Sequence, residues 1–203
     1  MSGKDELSRR ERILEAAVLE FGNSGFGGAT WRSIADRAGV NQALIKFYFE
    51  DKDGLWRAAL AHAQREKEAN LPVLGEKVTP EDVAGWVSAY VRDAAAHPSY
   101  ARMMVQEATG QSDRLNWAAD NVLRQAHKDF FEGVEYLQGQ GWFRGMSPLS
   151  LLYALVGAAN YPFMVAAEVE AVAKVNPVTS AWIEEHAKTV AWLFARRDQP
   201  ALD

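Results

Sequence analysis

The sequence predicts an all-α protein, with an N-terminal helix-turn-helix head of three helices and a larger C-terminal helical bundle. Two observations carry this. Apolar residues recur at helical spacing along nearly the whole chain with no alternating strand run, and TWRSIADRAGVNQALIKFYFEDK, Thr30 to Lys52, sets two short helical patterns on either side of a glycine turn.

The first helix is expected from a capping box, Ser8-Arg9-Arg10-Glu11, through Ile13, Leu14, Ala17, Val18 and Phe21, to end at Gly22 and Gly25. Its basic cluster Arg9, Arg10 and Arg12 reads either as a phosphate contact or as a solvated helix start. Thr30 caps the second helix, on which Ile34 and Ala38 share a face, and Gly39 supplies the conformation a tight turn requires. Asn41 caps the third, where Ile45 and the preceding Val40 fill the wedge between the helices.

Gln42, Ala43, Lys46 and Phe47 then remain on the outer face. Its chemistry suits a groove reader: Gln42 can bond adenine bidentately, Ala43 leaves room for or touches a thymine methyl, and Arg32 can fork onto guanine or phosphate. Lys46, Tyr48 and Lys52 can hold phosphates. A solvated helical hairpin that binds nothing has the same spacing, so the pattern alone leaves both readings open.

Asp53 is expected to cap a fourth helix carrying Leu55, Trp56, Ala59, Leu60 and Ala63, bounded by Pro72 and Gly75. Thr79-Pro80-Glu81-Asp82 opens a fifth, with Val83, Trp86, Val87, Tyr90, Val91 and Ala94 in one stripe, and His97-Pro98 breaks it. Further helices are expected from Ser99 to Gly110 and from Leu115 to Tyr136, before glycines 139, 141 and 145 open a loop around Trp142 and Phe143. Ser147-Pro148 starts the next, which Pro162 should kink or split. The last, Pro177 to Arg196, is apolar on more than one face.

The run ERILEAAVLEFGNSGFGGATWRSIADRAGVNQALIKFYFEDKDGLWRAAL resembles the DNA-binding region of the tetracycline-repressor (TetR) family of bacterial regulators. The matching features are Phe21, Gly25-Phe26, Thr30, Ile34-Ala35, Ala38-Gly39-Val40, Ile45, the aromatic pair Phe47-Tyr48, Phe49, Lys52 and Leu55. Lys46 stands where the family usually has tyrosine, and Tyr48 where it usually has histidine. The resemblance implies that residues 1–52 bind a palindromic operator and residues 53–203 bind an effector and dimerise. The implied DNA-binding set is Thr30, Arg32, Asn41, Gln42, Ala43, Lys46, Phe47, Tyr48 and Lys52. Dimerisation through the last two long helices implies Leu152, Val156, Trp182, Ile183, Val190 and Phe194 as interface residues. The fourth helix becomes the lever between head and body.

The family fold also implies one body cavity, to which Trp86, Tyr90, Met103, Met104, Trp117, Phe130, Tyr153, Asn160 and Phe163 are assigned. Aromatic walls with sparse polar anchors suit a small, mostly apolar molecule, although each of these residues also suits plain core. Asn160 is the most informative, because a buried amide must find a partner, whether ligand or carbonyl.

With 203 residues and 48% hydrophobic content the chain can bury a sizeable core. Its net charge is -5, but residues 1–60 hold nine basic and nine acidic side chains, so the acidity belongs to the remainder. A neutral head implies a modest non-specific attraction to DNA. No cysteine is present, which excludes disulfides and thiolate metal sites and suits a cytoplasmic protein. The stretch from Leu149 to Ala167 is interrupted by Ser150, Gly157, Asn160 and Pro162, so no membrane partner is expected.

The expected function is that of a homodimeric, sequence-specific transcriptional regulator, a repressor released from a palindromic operator by a small, mostly apolar effector. The alternative is a helical small-molecule-binding protein or an enzyme without a DNA-binding role. For an enzyme the raw material is His97, His127 and His186 with Glu107, Asp113 or Asp129, none at metal-ligand spacing, and no phosphate loop or nucleophile motif is present. No catalytic residue, metal or cofactor is therefore assigned.

Overall fold

A computed structural model describes residues 3–75, 77–110 and 112–195, with side chains from residue 9 onward. Among them every regular element is helical: α1 (Gly3–Gly28), α2 (Trp31–Ala38), α3 (Gln42–Phe49), α4 (Lys52–Asn70), α5 (Pro80–Ala96), α6 (Pro98–Ala108), α7 (Asp113–Ala118), a π-helical turn (Ala119–Leu123), α8 (Arg124–Gly139), α9 (Pro148–Met164), α10 (Ala166–Ala173) and α11 (Ser180–Phe194). They form two compact units, one of the described residues up to Glu68 with Ser99–Leu123, the other of Ala69–Pro98 with the described residues from Arg124 onward. Packing thus groups the chain differently from the functional boundary expected after Lys52, since most of α4 and all of α7 join α1–α3.

In the first unit, α1 buries Ile13, Leu14, Ala17 and Phe21 against Ile34, Ile45, Trp56 and Met103. It starts upstream of the expected capping box, which therefore lies inside the helix; the Ser8 side chain is outside the described residues. Regular helix ends at Gly25, whose φ of 70° is open to glycine. Arg37 of α2 donates from Nε and a terminal nitrogen to Oε1 of the buried Glu20, both at 2.7 Å, tying α2 to α1.

A further close approach joins α1 to α6. A Cβ on Gly22 would lie 2.5 Å from the Ser99 carbonyl oxygen, a backbone atom that cannot rotate away. Gly22→Ala is therefore expected to destabilise the first unit by about 1–3 kcal/mol, read as a lower urea midpoint. An unchanged midpoint would mean that the helices separate at no cost.

The cap of α4 corrects the sequence expectation. Asp51, not Asp53, accepts the Gly54 N–H, at 2.6 Å. Asp53 lies in the helix's first turn, where its carboxylate meets Arg114 instead.

The second unit packs α11 mainly on α5, with Val87, Tyr90, Val91 and Ala94 among the buried residues facing Ala187, Val190 and Ala191. Arg92 and Glu184 join the same two helices through paired bonds of 2.6 and 2.7 Å. Leu155, Ala159 and Phe163 of α9, Val134 and Leu137 of α8, and the loop residues Trp142 and Phe143 complete this core.

Three expected helices differ in extent. The stretch from Leu115 to Tyr136 is not one α-helix but α7, the π turn and α8; in that turn the Asn121 amide donates to the Trp117 carbonyl at 2.9 Å, occupying an acceptor of the helical ladder. The last helix begins at Ser180 because Thr179, which accepts the Trp182 N–H, is its cap; Arg196 lies outside the described residues. Pro162 does not split α9, and the bend of 71° into α10 falls after Met164. Proline cannot donate to the carbonyl four residues back, that of Ala158, and His186 Nε2 sits 2.9 Å from this freed oxygen. The carbonyl accepts, so Nε2 carries the proton, and His186 serves the fold.

Candidate functional site

The turn between α2 and α3 is held by short-range bonds. Thr30 Oγ1 accepts the Ser33 N–H at 3.0 Å while Ser33 Oγ accepts the Thr30 N–H at 3.1 Å, a reciprocal cap on α2. Gly39 takes a left-handed conformation, φ 65°, and its N–H and that of Val40 both bond the Ala35 carbonyl. Asn41 Oδ1 then accepts the Leu44 N–H at 2.8 Å, which caps α3.

These constraints fix the rotation of α3. Ile45 and Phe49 are buried inward, Leu44 and Tyr48 are half-buried, and Gln42, Ala43, Lys46 and Phe47 are exposed together. Phe47 is 76% exposed, which costs hydration unless something covers it. Thr30 and Asn41 are exposed caps, and Tyr48 packs its ring between those of Phe47 and Phe49 at 5.6 and 6.0 Å. Arg32 projects from α2, its Nε 3.8 Å from the carboxylate of a solvent-exposed Asp36. Such a pair stabilises by about 0.3–0.5 kcal/mol, so the guanidinium is available to another anion.

Lys52 differs from the other expected DNA-facing residues. Its Nζ lies 4.8 Å from the centre of the Phe26 ring, and burial first, then the nearby Arg114 charge, lower its pKa. On the opposite flank of the turn, Arg9 and Arg12 of α1 line a shallow depression with Asp36, Gly39, Val40 and Asn41. Arg10 instead rests 5.4 Å from the Phe49 ring.

Of the nine residues expected around one body cavity, seven divide between two cores. Met103, Met104 and Trp117 pack with Phe21 and Trp56 in the first unit. Trp86, Tyr90, Phe130 and Phe163 belong to the second, where Trp86 stacks on Tyr90 at 5.5 Å and Phe163 meets Trp182 and His186 edge-on. Asn160 is buried and donates to the Val156 carbonyl of its own helix at 2.9 Å. Tyr153 is 62% exposed, with the half-buried His127 ring edge-on at 6.5 Å. Desolvation lowers the His127 pKa, favouring the neutral ring.

Of the expected interface residues, Leu152 and Val190 are buried within the chain itself, and Val156, Trp182, Ile183 and Phe194 are half-buried. The exposed large apolar residues of the same helices are Leu149, Tyr153 and Tyr161 of α9, and Trp192 and Leu193 of α11. Leu149 and Tyr161 carried a sequence signal: their spacing of four through Tyr153 and Gly157 marks a second stripe beside the one the core uses.

Three of the residues named for the enzyme alternative are bonded locally. His97 Nδ1 is 3.0 Å from the buried Asp93, Asp129 accepts from Gln125, and Glu107 is bonded to Ser112 and Arg114. Among the described residues no three His, Asp or Glu side chains converge as metal ligands would. No single described helix is long and apolar enough to cross a membrane.

Residues 13–59 match the family described as bacterial regulatory proteins, tetR family. The HTH-type transcriptional repressor SCO4008 of Streptomyces coelicolor is 30% identical over 167 residues, spanning 81% of this chain and 83% of its own. The HTH-type transcriptional regulator BetI of Paraburkholderia phymatum is 38% identical over 58 residues, 29% of this chain and 30% of its own. Among solved structures, AibR in complex with isovaleryl coenzyme A and operator DNA has a TM-score of 0.69 at 15% identity, covering 92% of this chain and 98% of its own. A TetR family transcription regulator from Marinobacter aquaeolei has a TM-score of 0.67 at 21% identity, covering 94% and 97%.

Proposed function

Because the chain belongs to the TetR family of bacterial transcriptional regulators, we propose that it works as a homodimeric repressor whose α3 reads the major groove and whose C-terminal region takes a small effector. The observation that carries this is the outward face of α3, where Gln42, Ala43, Lys46 and Phe47 are exposed together on a helix whose other face is locked into the core. Gln42 bonds a base edge, Ala43 and Phe47 meet thymine methyls, and Arg32, Lys46, Tyr48 and Lys52 hold phosphates, with Thr30 and Asn41 fixing the helix starts. Functionally, residues 1–52 are the DNA-binding head and residues 53–203 the effector-binding and dimerising region.

Two heads must lie about 34–36 Å apart to meet successive major grooves, which requires a dimer. The exposed stripe of Leu149, Tyr153, Tyr161, Trp192 and Leu193 supports α9 and α11 as the dimerising surface. The aromatic core of the second unit, with Trp86, Tyr90, Phe130 and Phe163, supports a mostly apolar effector; the AibR structure, with isovaleryl coenzyme A and operator DNA, pairs a small molecule and an operator on a similar fold. Release follows when the effector prefers a head spacing that no longer fits the operator, with α4 as the covalent lever. The protein acts in the cytoplasm, where the operator is.

Selection of sites from random duplex DNA at a fixed salt concentration tests this. An inverted repeat is expected, and Gln42→Ala should cost about 1–3 kcal/mol at one base position in each half-site and relax preference there. Failure of folded, dimeric protein to enrich any sequence would overturn the reading.

A further inference from the structure

Arg114 is the meeting point of three elements within the first unit. From α7 its Nε bonds Glu107 Oε1 of α6 at 3.0 Å, and a terminal nitrogen lies 3.3 Å from Asp53 Oδ1 in the first turn of α4. Its guanidinium carbon also lies 3.6 Å from the centre of the Phe26 ring of α1. Phe26 is the ring beside which Lys52 rests its ammonium, and it stacks on the buried Phe21. Glu107 is 7% exposed and accepts a second bond from Ser112 Oγ, so this anchor is satisfied and rigid. An arginine so engaged, with its side chain only 22% exposed, is held in one orientation by its two carboxylate partners and the Phe26 ring.

The arrangement solves an electrostatic problem at the start of α4. Lys52 is followed at once by Asp53, and Glu107 lies within reach of the same cluster. A carboxylate beside a lysine weakens its attraction for phosphate and repels the phosphate itself, and Glu107, bonded to Arg114, adds a second negative charge to the cluster. Arg114 balances them, so the four groups sum to zero and Lys52 keeps its field. Its charge beside the same ring also repels the Lys52 ammonium, which after burial is the second cause of the lowered Lys52 pKa.

We propose that Arg114 is the positioning residue for the Lys52–phosphate contact: it neutralises Asp53 and Glu107 and shares the Phe26 ring, so that the Lys52 ammonium faces the DNA backbone rather than its own carboxylates. This rests on the assignment of Lys52 to phosphate under the proposed function. Arg114 itself touches no nucleotide; it sets the charge and geometry of the group that does.

The test is binding of the full-length protein to a fluorescent duplex of scrambled sequence, about 30 base pairs long, across a salt series. Lys52→Ala is expected to weaken binding about tenfold at low salt and to reduce the salt slope by about one. Arg114→Gln should reproduce both effects, and Arg114→Gln with Asp53→Asn should return affinity to within about threefold of the parent. A merely structural role for Arg114 would not be repaired by removing a carboxylate. Because Arg114→Gln strands the buried Glu107, the same series is run on Glu107→Gln, which keeps an acceptor for Ser112. The inference is overturned if Arg114→Gln leaves the salt slope unchanged while Lys52→Ala lowers it, or if the Asp53→Asn double variant stays as weak as Arg114→Gln. An unaltered slope for Lys52→Ala would overturn the phosphate assignment together with the inference.

Discussion

Glutamate at both Trp192 and Leu193 is expected to give a folded monomer whose operator affinity is about 10²–10⁴-fold lower. The two side chains are 61% and 48% exposed in the isolated chain, so charging them costs the protomer little. In a dimer they would each be desolvated without a counter-charge, which disfavours association strongly. The loss in DNA binding follows because one head then binds without the second held at its half-site. Sedimentation velocity and far-UV circular dichroism report the two expectations separately, and a persistent dimer would remove α11 from the interface. Val190, at 1% exposure, is unsuitable for this test: a charge there would be buried inside its own chain, and unfolding would obscure any change in assembly.

Trp56→Ala is expected to cost the first unit about 3–5 kcal/mol. Trp56 lies on α4 at 1% exposure, in the same core as Phe21, Ile34, Ile45 and Met103, so its removal leaves a cavity where several helices meet. Against a typical domain stability of about 5–15 kcal/mol, this brings the helix-turn-helix close to its unfolding threshold. The urea midpoint should fall, and DNA binding should be lost at a lower temperature than in the parent. Four of the seven tryptophans, Trp86, Trp142, Trp182 and Trp192, lie in the second unit, so their fluorescence should change less than the far-UV signal. A cost below about 1 kcal/mol would show that the surrounding side chains close the gap.

The exposed face of α3, which we propose faces DNA, could be read from the sequence because the interactions that shape it are local. Thr30 with Ser33, Ala35 with Gly39 and Val40, and Asn41 with Leu44 are within five residues of each other, and side-chain chemistry at that range leaves few alternatives. Even locally, competition between neighbours is hard to resolve: Asp51 and Asp53 both suit a cap, but Asp51 takes it while Asp53 meets Arg114, 61 residues away. Helix extents failed for a related reason, since the Asn121 bond to Trp117 and the exchange at Pro162 alter the ladder without altering the apolar pattern.

Residue order and type determined the all-helical class, the two capped helices about Gly39, and the exposed face of Gln42, Ala43, Lys46 and Phe47. Hydrophobic period states which face of a helix avoids water, not which distant face it meets. Tertiary packing therefore decided that Met103, Met104 and Trp117 join the core under the head rather than that of Trp86 and Phe163. It also decided that Val190 points inward and Trp192 outward, and that Arg114 stands beside Lys52. Those outcomes depend on which surfaces remain after every helix has found a partner, a property of the whole chain rather than of any window within it.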